Sequence, residues 1–274
     1  MNSPAIRHSK KHRQSLSVVS WLGEAVKEGQ WNNDAEKNYG ISPYAYCGGD
    51  PVNLGDYDGM IPDSLEAALL SQDVYNPNFG EGPEKWSCIS HSLGGSFKWA
   101  IYTKGEGDEQ EYVLAFAGSD DFYDYLIDIY QGNGNIKGEA SEYAQIEYGK
   151  AIKLAAAFVS FINEKEGTIV GHSLGASLGS LAAMASNTQA VVFNPAAIHD
   201  NTISTFGIDT SGHEKMIATY VVRGELITYI NGFTDNSKTY GTIKPIEPKS
   251  GLSIGDRHRI SNIINTFNRN GHKL

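Results

Sequence analysis

Residues 168–185 constrain this chain more than any other stretch. Thr168-Ile169-Val170 is a short β-branched run that reads as a buried strand. Gly171-His172-Ser173-Leu174-Gly175 follows, and residues 174–185, rich in Leu and Ala and free of Pro, read as a helix. A serine between two glycines at a strand-to-helix turn is forced into a strained conformation, and the glycines let the strand and helix backbones approach. A strand that feeds a helix packing back on its own sheet implies α/β layering.

The same pentapeptide pattern, Gly-x-Ser-x-Gly, also occurs around Ser177 and Ser253. Ser177 would lie one turn inside the helix as a packing residue. Ser253 follows Pro248-Lys249-Ser250 and reads as loop. His91-Ser92-Leu93-Gly94 copies part of the motif, but Ser90 replaces the first glycine, so it reads as structural. Only Ser173 has a strand before it and a helix after it.

Other segments fit the same layering. Pro62-Asp63-Ser64 is a helix-start signal. Residues 96–103 and 111–117 read as two strands joined by the polar turn 104–110. Residues 141–163 form the clearest helix, with Ala144, Tyr148, Ala151, Ala155, Phe158 and Ile162 on one face. Strands follow at 190–193 and 216–222. The expectation is a mostly parallel sheet flanked by helices, preceded by a poorly structured N-terminal segment.

Composition removes several classes of function. The chain has 274 residues and a formal net charge of −10, the wrong sign for a nucleic-acid binder. Its two cysteines, Cys47 and Cys88, cannot build a disulfide framework and show no zinc-type spacing. No metal or organic cofactor is indicated. No apolar run approaches the roughly 20 residues a membrane span needs. The basic cluster at residues 7–13 is followed by a half-polar stretch, a poor signal-peptide core.

Residues 1–60 hold sparse, aperiodic apolar side chains, with Gly, Asn, Asp and Pro gathered between Asn32 and Gly59. Within them stand Ser42-Pro43-Tyr44, Tyr46-Cys47, Pro51-Val52-Asn53 and Asp58-Gly59. This stretch resembles the end of the Rhs-repeat-associated core, although Tyr57 stands where that family usually has Pro. In that family the motif marks the boundary beyond which a variable C-terminal module, often a toxin, begins. The chain therefore reads as a core-like tail, 1–60, followed by a second domain, 61–274, and looks like a detached C-terminal end.

The segment Ile169 to Leu178 resembles the class 3 lipase family. Upstream, Val113-Leu114-Ala115-Phe116-Ala117-Gly118-Ser119, followed by Asp124-Tyr125-Leu126-Ile127-Asp128, resembles that family's preceding strand and turn, with Ala117 where the family usually has Arg. The resemblance implies an alpha/beta-hydrolase fold with Ser173 as nucleophile. A serine needs a base to take its proton and an acid to orient that base, and in this fold the order is serine, acid, histidine. By position the family's acid, usually Asp, corresponds to Glu225, one carbon longer, with Asp200, Asp209 and Asp235 as rivals and Asp200 the strongest of them. Only His258 and His272 follow Glu225, and His258 matches the family's histidine. The backbone N–H groups of Leu174 and Ser119 would form the oxyanion hole.

The resemblance further implies hydrolysis of lipid carboxylic esters. Apolar residues at 122–130 (Phe122, Tyr123, Tyr125 among them), and Tyr229, Ile230 and Phe233, suit an acyl chain. Together the two resemblances point to a lipase or phospholipase toxin module of an Rhs-type effector. It would touch the membrane surface of a target cell transiently and be held in check by a cognate immunity protein. It would be cytoplasmic in its producer and exported by a specialised secretion system. The alternatives are a housekeeping esterase or lipase, and a non-catalytic binding module on a degenerate hydrolase fold.

Overall fold

The computed structural model describes residues 62–92, 94, 97–118, 139–227 and 237–269. The N-terminal tail 1–60, Ser119, the aromatic stretch at 122–130, Tyr229, Ile230, Phe233, Asp235 and His272 lie outside the described residues.

Among the described residues, nine strands run in chain order: β1 Ser87–Ser92, β2 Trp99–Lys104, β3 Glu111–Phe116, β4 Gly167–His172, β5 Gln189–Phe193, β6 Ile198–His199, β7 Ile217–Val222, β8 Ser237–Lys238 and β9 Thr242–Ile246. Six α-helices are described: α1 Ser64–Asp73, α2 Glu139–Ile162, α3 Leu174–Ser186, α4 Asp200–Phe206, α5 Ile254–His258 and α6 Ile260–Arg269. Seven strands form one sheet in the order β1-β2-β3-β4-β5-β7-β9. The first two pairings are antiparallel, and every pairing from β3 to β9 is parallel. Strands β6 and β8 pair separately as a short antiparallel ribbon.

Local chemistry explains most of these elements. Asp63 caps α1, its Oδ1 accepting the N–H groups of Leu65 and Glu66 at 2.8 Å each. Of the face read on α2, Tyr148, Ala151, Ala155, Phe158 and Ile162 are buried in one apolar cluster, joined there by Leu154, and the Ala144 side chain lies outside those described. The strands alternate between the two faces of the sheet. Leu114, Phe116, Ile169 and Val192 point to the cluster under α2 and α3. Val113, Ala115, Val170, Val191 and Phe193 point to the opposite cluster, closed by α1 and α6. The result is the expected mostly parallel sheet flanked by helices.

Two strands escape the sequence pattern. Ser87–Ser92 contains the Ser90-His91-Ser92 that mimics the nucleophile motif, and it forms an outer strand paired antiparallel with β2. Thr242–Ile246 carries Pro245 and half-polar residues, which suits the opposite edge, where no ladder bond is lost outward.

The register aligns Phe116 with Gly171 and His172 with Phe193, so the C-terminal ends of β3, β4 and β5 lie side by side. There α3 leaves the sheet at very close range. A Cβ on Gly175 would overlap the carbonyl oxygen of Phe116 and crowd the Ala117 carbonyl carbon. Neither atom belongs to a flexible side chain, so the backbone itself would have to move. Gly175→Ala should cost about 3 kcal/mol, the upper end of overpacking. A lowered urea midpoint with an unchanged denaturant slope is the expected outcome.

Candidate active site

Ser173 sits alone between β4 and α3, with φ 60° and ψ −125°. A serine held there stores about 1–3 kcal/mol of strain. The surroundings fix it: its N–H donates to the Phe193 carbonyl at 3.0 Å, and its own carbonyl accepts from Ala176 N–H at 3.0 Å. Ser177 is fully buried in the helix as expected, its hydroxyl donating to the Ala196 carbonyl at 2.6 Å. Leu174, the first residue of α3, has an N–H with no intrahelical acceptor, because the first turn of a helix leaves such groups unpaired. That donor, with the positive end of the helix dipole behind it, suits a developing negative charge. Gly118 brings the turn after β3 beside it: a Cβ there would lie 3.3 Å from Ser173 Cβ and 2.7 Å from the Tyr75 hydroxyl. Ser119, the other expected donor, follows directly in the chain but is not among the described residues.

His258 and Glu225 arrive from different directions. Glu225 follows β7 by three residues, after a turn in which its N–H bonds the Val222 carbonyl at 3.2 Å. His258 is the last residue of α5, whose start is capped by Ser253: the Ser253 hydroxyl accepts from Asp256 N–H at 3.1 Å and donates to the Asp256 carboxylate at 2.6 Å. The residue that read as loop is thus the cap of the helix carrying this histidine.

The three side chains meet. Ser173 Oγ lies 3.0 Å from His258 Nε2, and His258 Nδ1 lies 2.8 Å from Glu225 Oε2. The same carboxylate oxygen accepts the N–H of Ile227 at 2.8 Å, which holds the carboxylate in place. All three are buried, at 6%, 2% and 1% exposure. Since the carboxylate accepts at Nδ1, Nε2 is left to accept the serine proton. Of the rival acids, Asp200 begins α4 and pairs with Lys238 at 3.4 Å, and Asp209 binds the N–H and hydroxyl of Ser211.

Three further residues support the site: His172, inside the motif itself, and Tyr75 and Asn194, which had no signal in the sequence. His172 packs its ring 4.8 Å from that of His258 and its Nε2 lies 2.7 Å from the His258 carbonyl, so Nε2 carries the proton. Its Nδ1 is left to accept from the Tyr75 hydroxyl, 3.4 Å away, and that hydroxyl accepts the N–H of Gly118 at 3.0 Å. Asn194, fully buried just after β5, has φ 45°. Its amide donates to the carbonyls of His258 and Arg257 at 3.2 and 3.4 Å and accepts the N–H of Val222 at 2.9 Å. Among the described residues, no group of three or more His, Cys, Asp or Glu is placed to hold a metal ion. No described helix is long and apolar enough to cross a membrane.

A family model for the Tle-like phospholipase domain matches residues 66–246. The chain belongs to that family. The match spans Ser173 and Glu225 and stops short of His258. A curated relative, an extracellular phospholipase A1 of Serratia liquefaciens, is 33% identical over 162 residues, covering 54% of this chain and 46% of that protein. The chain thus matches about half the length of that relative. Among solved structures, a Rhizomucor miehei lipase in complex with its propeptide is similar over 67% of this chain and 65% of that one, at 13% identity and a TM-score of 0.47. A triacylglycerol lipase from Penicillium expansum is similar over 69% of this chain and 80% of that one, at 17% identity and the same TM-score of 0.47.

Burial, with a contribution from neighbouring His258, pushes His172 down from 6.5 to about 3. The folded value lies below the unfolded one, so between the two the unfolded chain binds more protons and stability falls as pH falls. From pH 7.5 to pH 5 this one group should remove about 2 kcal/mol. His172→Gln should flatten that part of the profile. Urea midpoints at pH 7.5 and 5 test this, and equal steepness in both proteins would acquit His172.

Proposed function

We propose that this chain is a serine hydrolase of phospholipid carboxylic esters, with Ser173 as nucleophile, His258 as general base and acid, and Glu225 orienting His258. The observation that carries this reading is the buried run of hydrogen bonds from Ser173 through His258 to Glu225, set on a strained strand-to-helix turn. The family match and the phospholipase A1 relative favour phospholipid over other esters.

In this scheme Ser173 Oγ attacks the acyl carbonyl carbon as its proton passes to His258 Nε2. The carbonyl oxygen becomes an oxyanion facing the Leu174 N–H, with the Ser119 N–H as the second proposed donor. Collapse expels the alcohol portion of the lipid, which takes the proton from His258. A water then gives a proton to His258 and attacks the acyl-enzyme, releasing fatty acid and restoring Ser173. Glu225 keeps Nδ1 protonated and stabilises the imidazolium formed in each half-reaction.

The finer reading is a toxin module, the 61–274 part of an Rhs-type effector, acting on a target-cell membrane and neutralised by an immunity protein. It rests on the core-like residues between Ser42 and Gly59. In this reading the protein is cytoplasmic in its producer and leaves by a specialised secretion system.

Phospholipid vesicles incubated with the purified chain should release fatty acid, with the ester cut identified by product mass. Ser173→Ala and His258→Ala should each lower the rate by about 10⁴-fold or more, and Glu225→Gln by about 10⁴-fold. Asp200→Asn should leave it unchanged. Full activity in Ser173→Ala would sink the assignment, and failure of Ser173 to react with a fluorophosphonate probe would favour a binding module. Growth arrest on expression, relieved by Ser173→Ala, is expected of a toxin, whereas harmless expression of an active enzyme points to a housekeeping esterase.

A further inference from the structure

His258 must present its ring to Ser173 on one side and Glu225 on the other, yet it stands at the end of a helix of only five residues. So short a helix cannot hold its last residue by its own hydrogen bonds. The backbone of His258 is instead gripped from below. Its carbonyl accepts two buried side-chain donors, His172 Nε2 at 2.7 Å and Asn194 Nδ2 at 3.2 Å. His172 is 5% exposed and Asn194 is fully buried.

These donors are themselves anchored to the other parts of the site. His172 is the residue immediately before Ser173, so whatever moves the nucleophile's turn moves this grip. Asn194 also accepts the N–H of Val222, three residues before Glu225. One amide group therefore spans from the acid-bearing strand to the base-bearing helix. It does so from a left-handed conformation (φ 45°), which asparagine tolerates better than most side chains.

We propose that Asn194 and His172 are positioning residues that set the placement of His258 between Ser173 and Glu225, acting through a single shared acceptor, the His258 carbonyl. This inference rests on the triad reading above. Neither side chain hydrogen-bonds the reacting atoms, although the His172 ring also packs 4.8 Å from that of His258. Each fixes the backbone from which the base projects, and together they tie base, acid and nucleophile into one rigid unit. A misplacement of about 1 Å in such a unit is worth on the order of 10²-fold in rate.

The test uses the whole chain, a soluble short-chain ester to separate kcat from KM, and Ser173→Ala as control. Activity remaining in Ser173→Ala sinks the triad reading itself, whereas the following outcomes bear on positioning alone. Asn194→Asp keeps the acceptor for Val222 but turns an oxygen toward the two carbonyls, and His172→Phe keeps a ring but removes the donor. Each should lower kcat by about 10- to 100-fold with KM nearly unchanged. His172→Gln, which carries an N–H near the same position, should recover most of the loss seen in His172→Phe. Because both donors serve one carbonyl, the effects of Asn194→Asp and His172→Phe on kcat should not multiply when combined. Unchanged kcat in folded single variants, equal kcat in His172→Phe and His172→Gln, or strict multiplication in the double variant would each overturn the proposal. Should Asn194→Asp fail to fold, the His172→Phe and His172→Gln pair still decides it.

Discussion

Everything at the candidate site depends on how closely α3 leaves the sheet. The backbone at Gly175 runs against the carbonyl of Phe116, and that of Gly171 against the carbonyl of Gly175, with no room for a side chain at either point. This contact turns the chain through the sharp bend in which Ser173 must adopt φ 60°. The strain is borne by a sheet buried on both faces and by a helix embedded in its larger apolar cluster. A core of that rigidity lets one residue sit in a conformation it would otherwise leave.

The other site residues follow from the direction of the parallel strands. β3, β4, β5 and β7 all end on the same edge, so the residues just beyond them converge without any long excursion. Gly118, Ser173, Asn194 and Glu225 each occupy such a position. Tyr75 and His258 come from elsewhere, and His258 is held by the separate grip of side chains rooted at those same strand ends. The anionic surface implied by a net charge of −10 plays no visible part in this construction.

What could be read from the sequence was whatever is local. The turn at Ser173 announces itself through glycines, a β-branched run before it and a helix after it. The long face of α2 shows through its periodicity, and the cap at Asp63 through its residue type. Glu225 and His258 became legible only through resemblance to a known family, since nothing near Glu225 marks it as different from any carboxylate after a strand. Tyr75 and Asn194 left no trace. Their partners lie between 28 and 97 residues away, and an isolated tyrosine or asparagine carries no pattern that announces such a contact. The outer strands were missed for a related reason: at the rim of a sheet, polar side chains and Pro245 are tolerated, so the alternation that identifies a strand is lost.

The hydrogen bond between Ser173 and His258 closes a loop of 85 residues, and the one between His172 and the His258 carbonyl a loop of 86. Contacts of such sequence separation cost more chain entropy to close than local ones. The turn that carries Ser173 is built from neighbouring segments, whereas the proposed base reaches it only across that separation. On the proposed reading, chemical competence therefore depends on two distant parts of the chain being in register, with the segment carrying His258 settled onto the strand ends.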